Sequence, residues 1–599
     1  MSRIKVLLAG VVVTAIVGLG TQAQAQKVKV MFAGSSAQWQ TLALGTYNNG
    51  ACVKGAVAPC SHYTAGSFNL TDTRPARVGL TSNVDTGGMW IVWDSANPPN
   101  VWGFIKVDSG VGNRCYFANP ACNVGANPFP SAANSITVWP DGSTDKTPPS
   151  SVQALFTGGT VSVNVAATDI RPEDSLWSTC RTNSLLGSGS VGGGDGTDGL
   201  GYNNNNAPGV CPAFGANKNA LVGNAIQSGY PGSTSTANVL AFALSGKDPF
   251  TGSTVPKYTT YSVGVDPIVF VYSRNGGQLS GLTDVTDSEA QTAFSGNKCD
   301  ASAFGLSNAG IAVYLREPLS GTMNTTEASV FRRPVVGGGV LGISQENKVQ
   351  GANPLTGSSV GCPSSDGNGG RWRGIGTGEV IKSVLNSVHN NGVDGITYTF
   401  FSYGNVSSIA SSGSYGYTTL DGTDGIFSTY YNGGGTAFDA GQPTAYGPGG
   451  IPGAKDTPCG SFPCPETEIW AGGLSFPNVR SGAYRAWSLL RVVSTGAALA
   501  AAEAVIKDSQ SYVITTTPDY IPALPVKNII INGSKFTDPG ITILRSHYQQ
   551  VDGSGAAIGK APVNTGKTEA GGDMGGCIQP SASLALQLVQ SAPAGCAVR

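Results

Sequence analysis

The chain has 599 residues, 85 of them Gly and 35 Pro; 12% are charged, and 35 Lys+Arg against 36 Asp+Glu leave a net charge of −1. At 40% hydrophobic it can build cores, and it is neither charge-disordered nor collagen-like, having no Gly-X-Y period. The near-zero balance excludes the basic surplus of nucleic-acid binders and leaves no polybasic membrane patch.

In chain order, Arg3 and Lys5 precede the apolar residues 6–20, and Ala23-Gln24-Ala25 follows. This pattern predicts a signal peptide over residues 1–26 and export, to the periplasm or beyond the cell. The run is shorter than the roughly 20 residues of a spanning helix. No Cys follows the expected cut, so no membrane anchor is expected. All 12 Cys lie beyond the signal, several in close pairs: Cys52/Cys60, Cys115/Cys122, Cys459/Cys464 and Cys577/Cys596, with Cys180/Cys211 and Cys299/Cys362 further apart. An even count in an exported chain predicts structural disulfides, while the pairing stays open. A zinc site is disfavoured, because no C-x-x-C occurs and the only histidines, His62, His389 and His547, lie far apart.

Alternation in residues 27–32 (KVKVMF) predicts a first strand that runs into Gly34-Ser35-Ser36-Ala37. Residues 90–93 and 101–107 read as strands, 118–150 as a loop insertion, and 161–167 (VSVNVAA) as a strand ending at Thr168-Asp169. Residues 187–206 are low-complexity loop, and 266–272 (DPIVFVY) are a buried-type strand. Residues 311–315 form a strand leading into Arg316, with helices predicted over 325–332 and 378–390. The second helix carries Val380, Ile381, Val384, Leu385 and Val388 on one face. Residues 396–403 are strand-like, 411–463 are Gly-rich, and 484–508 read as the longest helix. Strands alternating with helices predict an α/β architecture, and no fixed-period repeat is present.

Most enzyme signatures fail on context. Gly566-Lys567-Thr568 lacks the earlier glycine of a phosphate loop, since Ala561 stands there. Residues 357–361 match G-x-S-x-G in a polar loop, without the strand and helix of a nucleophile elbow. No spacing singles out a carboxylate pair. His389, at a helix end, suits a dipole partner better than a catalyst.

The informative stretch is Arg316-Glu317-Pro318-Leu319-Ser320-Gly321-Thr322, between a strand and a helix. An Arg at a strand end presents a fork of donors to an oxyanion, and Ser-Gly-Thr at a helix start adds hydroxyls and free N–H groups. A simple N-cap beside a surface arginine is the plainer alternative. Together with Gly34-Ser35-Ser36-Ala37 and Thr168-Asp169, these segments resemble the periplasmic phosphate-binding proteins of ABC importers. The resemblance implies an α/β, two-lobed type II periplasmic-binding-protein fold with long Gly-rich loop insertions. It implies a first lobe over residues 27–267, a second over 268–405, and a return plus C-terminal extension over 406–599.

The same resemblance implies ligand contacts from Ser35, Ser36 and the Ala37 amide, and from Ser109 in Asp108-Ser109-Gly110-Val111-Gly112. It further implies Asp169 as acceptor of the phosphate proton, and Arg316, Ser320, Gly321 and Thr322 as the anion cradle. The partners it implies are inorganic phosphate or a similar oxyanion and a membrane ABC permease, with no cofactor and no enzymatic activity. The family often carries an acid two residues after the Arg; here Pro318 stands there, beside Glu317. The excess length falls in residues 118–150, 184–260, 411–463 and beyond about 520. Two other readings stay open: a ligand-free relative acting as a surface or scaffold protein, and a secreted carboxylate-dependent hydrolase.

Overall fold

The computed structural model describes most of residues 27–172, 242–345, 362–426 and 476–545, with short breaks, together with Ser175 and residues 226–227, 238–239 and 577–579. The signal segment, residues 187–206, the two discarded loop motifs, His389, Glu317 and Pro318 lie outside the described residues. The architecture is mixed α/β, built on a fourteen-stranded sheet.

Strand β1 (Lys27–Ser35) is followed by a short helix α1 (Trp39–Leu44). Then come β2 (Ser61–Thr71), β3 (Asn83–Trp93), β4 (Asn100–Val107) and helix α2 (Ser109–Phe117). After β5 (Asn123–Gly125) and α3 (Ser150–Thr157), the chain forms β6 (Val161–Ser162) and β7 (Val165–Thr168). A long strand β8 (Thr259–Ser273) leads to α4 (Asp287–Phe294), β9 (Ala312–Arg316) and α5 (Gly321–Thr326). The rest of the frame is β10 (Gly370–Gly374), α6 (Thr377–Asn386), β11 (Gly395–Phe400), β12 (Trp487–Ser494) and α7 (Gly496–Thr515).

Twelve strands run in the order β10-β9-β11-β8-β12-β7-β1-β4-β3-β2-β5-β6, and two short ones, Tyr415–Tyr417 and Ile521–Pro522, pair with β8 off this path. β8 belongs to two regions of this sheet. Its first part pairs with β12 from Thr259 opposite Ser494 to Pro267 opposite Trp487. Beyond Pro267 it pairs with β11, from Ile268 opposite Phe400 to Tyr272 opposite Ile396. The return connections meet the same point, with Phe401 N donating to Pro267 O (2.8 Å) and Ile268 N to Ala486 O (2.7 Å). Two α/β regions joined at such crossovers give the type II arrangement.

Register then fixes where the loops emerge. β1 lies parallel between β4 and β7, with Gly34 opposite both Lys106 and Ala167. The carboxyl ends of these three strands therefore share one edge, from which Ser36, Asp108 and Asp169 follow. In the other region β9 and β10 run parallel with Arg316 opposite Gly374. In open α/β sheets, ligand clefts form outside such strand ends. β1 is buried on both faces: Val30 and Phe32 enter one core, Met31 and Ala33 the other. A strand covered on both sides is apolar throughout. Phe32 stacks on Phe104 at 5.5 Å.

Several expectations need correction. Residues 484–508 are not one helix: Trp487–Ser494 is a fully buried strand, and α7 starts only at Gly496. The run WSLLRVVS is buried on both faces and carries adjacent β-branched valines, which suits a central strand, and Gly496 at φ +58 turns the chain into the helix. Residues 161–167 are two short strands, because Asn164 leaves the ladder and its side chain accepts from Met31 N (2.7 Å). The 118–150 insertion contributes β5, which pairs with β2. Helix α5 starts at Gly321, ahead of the expected 325, and passes into a wider turn over Glu327–Phe331. On α6, Val380, Ile381 and Val384 are buried as expected.

Disulfides join Cys52–Cys60, Cys115–Cys122 and Cys299–Cys362. The other six sulfurs lie outside the described side chains. No helix among the described residues is long and apolar enough to cross a membrane.

Candidate functional site

The strand-end loops of both sheet regions converge. Arg316, the last residue of β9, is 2% exposed. Its Nη1 donates to Thr322 Oγ1 (3.1 Å) and to Thr377 Oγ1 (3.0 Å), and its Nη2 lies 3.4 Å from Asp108 Oδ1. Thr377 Oγ1 also lies 3.1 Å from Ser36 Oγ. One buried guanidinium thus links α5, α6 and the turn after β4, and through Thr377 the turn after β1.

Asp169, 2% exposed, stands beside this network. Its carboxylate accepts from the Ser109 hydroxyl, and its backbone N donates to Ser109 Oγ at 3.2 Å. The Ser488 hydroxyl donates to Asp169 O, which fixes the turn from behind. Gly321 packs directly on the carboxylate, so a Cβ at that position would overlap it. Glycine is required there for close approach. Gly34, at φ +140, meets the same demand on β1, since a Cβ would strike the Ala167 carbonyl.

Of the expected residues, Ser36, Ser109, Asp169, Arg316, Gly321 and Thr322 are brought together. Ser35, Ala37 and Ser320 lie in the same turns with their groups engaged locally. Ser35 Oγ accepts from Ala37 N (3.2 Å), and Ser320 Oγ caps α5 by accepting from Met323 N (3.3 Å). These bonds hold the turns that present the neighbouring hydroxyls.

Two site residues were missed. Thr377 stands in Gly374-Ile375-Gly376-Thr377-Gly378, a glycine-flanked hydroxyl at a strand-to-helix turn, the same signal that marks Ser36 and Thr322. Asp108 was visible as part of its serine loop, but its reach to Arg316 crosses 208 positions. Behind the cleft, Asp266 on β8 is fully buried, and neither oxygen has a hydrogen-bond partner among the described residues. Burial pushes its carboxyl well above the usual range, and the negative charges of Asp519 and Asp169 push the same way.

No protein-family model matches the chain, and no curated protein matches it. Solved structures similar to it include a DING protein (11% identity, 80% of this chain and 85% of that one, TM-score 0.30). Another is a human phosphate binding apolipoprotein (12%, 80% and 85%, TM-score 0.29). A third is an ABC-type phosphate transport receptor from Vibrio cholerae (11%, 43% and 70%, TM-score 0.22). What the site here can hold follows from its own residues.

Proposed function

We propose that the chain is a periplasmic receptor that captures phosphate, or a similar tetrahedral oxyanion, for a membrane ABC permease. The observation that carries this reading is Arg316, a buried guanidinium at a strand end whose Nη1 bonds are made to hydroxyls from two different elements. Its Nη2 also meets the Asp108 carboxylate at 3.4 Å, and in a low-dielectric cleft the guanidinium and its hydroxyl partners together pull strongly on a dianion. Ser36, Thr322 and Thr377 can turn their hydroxyls to donate to the anion's oxygens. Asp169 faces the same space and selects for an anion that brings its own proton: monohydrogen phosphate can donate to the carboxylate, whereas sulfate meets it charge to charge. No cofactor enters this reading, and capture needs no bond to be made or broken.

In this reading the lobes divide at Pro267 and Ile268, where β8 changes partners, and close on the anion by bending at the crossovers. We place the return to the first lobe after Ile426, because Tyr415–Tyr417 still pairs with Val271–Ser273 of the second sheet region. Calorimetry tests the reading: wild type binds phosphate, and Arg316→Ala loses about 2–4 kcal/mol of affinity, the scale for removing a buried charge partner. Unchanged affinity in a folded Arg316→Ala protein would remove the site from consideration.

A further inference from the structure

Outside the cleft, at the start of β2, one constellation has no part in anion capture. His62 Nδ1 lies 2.8 Å from Asp145 Oδ1, and His62 Nε2 lies 3.0 Å from Ser143 Oγ. Asp145 is itself held in place, its Oδ2 accepting from Thr64 N (3.0 Å) and Thr64 Oγ1 (2.5 Å). The imidazole is 2% exposed, stacked on Trp139 at 4.0 Å and met edge-on by Tyr47 at 4.6 Å. Lys146 N donates to His62 O (2.9 Å), fastening the loop to the strand. Ser143 is half-buried, beside the exposed Thr144.

The donor and acceptor roles follow from the network. An ionised Asp145 can only accept, so Nδ1 carries the ring proton and Nε2 is left to accept from the Ser143 hydroxyl. A hydroxyl bonded to a base that is oriented by a third group is the arrangement that activates a serine nucleophile. We propose that Ser143, His62 and Asp145 form a nucleophile, general base and positioning residue, and that Ser143 is acylated by small activated esters.

In the first half-reaction Ser143 Oγ bonds to the ester carbonyl carbon, the C=O π pair moves to oxygen, and the hydroxyl proton passes to His62 Nε2. The C=O then re-forms, the bond to the leaving alkoxide breaks, and that oxygen takes the proton from Nε2. Water repeats the sequence on the acyl carbon, giving the carboxylic acid and restoring Ser143. Every electron pair and proton is accounted for without a co-reactant.

The test uses the full chain with a fluorophosphonate, followed by intact mass and peptide mapping. In that reaction Ser143 Oγ bonds to phosphorus, fluoride leaves, and the hydroxyl proton goes to His62. Wild type is expected to gain one adduct, at Ser143, and Ser143→Ala none. His62→Gln should react at least about 100-fold more slowly, the lower range for loss of a general base. Asp145→Asn should change the pH profile of the labelling rate, which a merely structural role would leave unaltered in shape. Phosphate calorimetry serves as an independent control of folding, so failure here is distinct from failure of the anion site. No adduct on folded wild type, or equal labelling of Ser143→Ala, overturns the proposal.

Discussion

Two of the regions that bury arginine do it in opposite ways. In the cleft, Arg316 bonds through Nη1 to two threonine hydroxyls and meets one carboxylate, Asp108, at 3.4 Å. Away from it, Arg74 and Arg114 meet two carboxylates at close range. Arg74 Nη2 lies 2.8 Å from Asp72 Oδ2, Arg74 Nη1 lies 2.8 Å from Asp248 Oδ2, and Arg114 Nη2 also bonds to Asp72. This second cluster ties the end of β2 to α2 and to the loop at Asp248, which in turn accepts from Asn119 N and Thr251 N.

The electrostatics separate the two. Burial alone would raise the Asp72 carboxyl, but Arg114 and Arg74 outweigh it and hold it below the usual range. Burial lowers the Arg114 guanidinium to about 10. Carboxylates within the fold hold Arg74 and one nitrogen of Arg114, which makes the cluster a fastening, while Arg114 Nε and Nη1 have no hydrogen-bond partner among the described residues. The hydroxyls around Arg316 can reorient, which on the proposed reading leaves room for an exchangeable anion. Counting buried arginines would not tell these sites apart; the chemistry of their partners does.

Among effects on binding, exchanging the carboxyl proposed to discriminate should be the largest. Asp169→Asn can donate to sulfate, so its preference for phosphate over sulfate is expected to fall by about 10²-fold or more, within the range for sites that pair one particular proton. Competition calorimetry reads the ratio. An unchanged ratio with lowered stability would assign Asp169 to holding its turn.

The fastening is sharpened by Arg74→Ala, which strands Asp72 and Asp248 and should cost about 3–5 kcal/mol of stability in denaturant titration. Phosphate affinity of the folded variant should stay within about twofold of wild type. A large affinity loss without a stability loss would erase the distinction between the two clusters. The same cluster predicts acid sensitivity. The Asp72 carboxyl is lowered in the folded state, so its contribution is present above the unfolded carboxylate range and is lost as pH falls through the lowered value.

A smaller effect is expected at Asp108, a carboxylate that meets the cleft arginine at 3.4 Å. Removing its charge as Asp108→Asn takes away one anion competing for the guanidinium and should tighten phosphate binding by about 1 kcal/mol or more, the scale for one nearby charge pair. Weaker binding would instead give Asp108 the task of aiming Arg316.

Asp266→Asn probes the unpaired carboxyl at the crossover. A folded pKa raised above the unfolded one gives a contribution present below the unfolded range and lost as pH rises towards the folded value. The variant should therefore be more stable than wild type at neutral pH and gain little near pH 4, as melting scans at the two pH values would record. Equal gain at both would place the effect in packing.

The sequence by itself determined the parts whose signals act over a few residues. Alternation in residues 27–32 made β1 legible. Turn chemistry marked Gly34 to Ala37, Thr168-Asp169 and Arg316 with Ser320-Gly321-Thr322, the family resemblance added Asp108-Ser109, and the even cysteine count predicted disulfides with their pairing left open. Where the local pattern was compatible with two periods, it misled. Residues 487–494 are buried on every face, and only their place between β8 and β7 makes them a strand. The tertiary structure alone decided that Thr377 reaches both Arg316 and Ser36, that Asp108 faces Arg316, and that Ser143 and Asp145 bracket His62. Those meetings depend on strand register and on how the two sheet regions pack. Residues 61 to 341 positions apart carry no local mark of the partner that packing will give them.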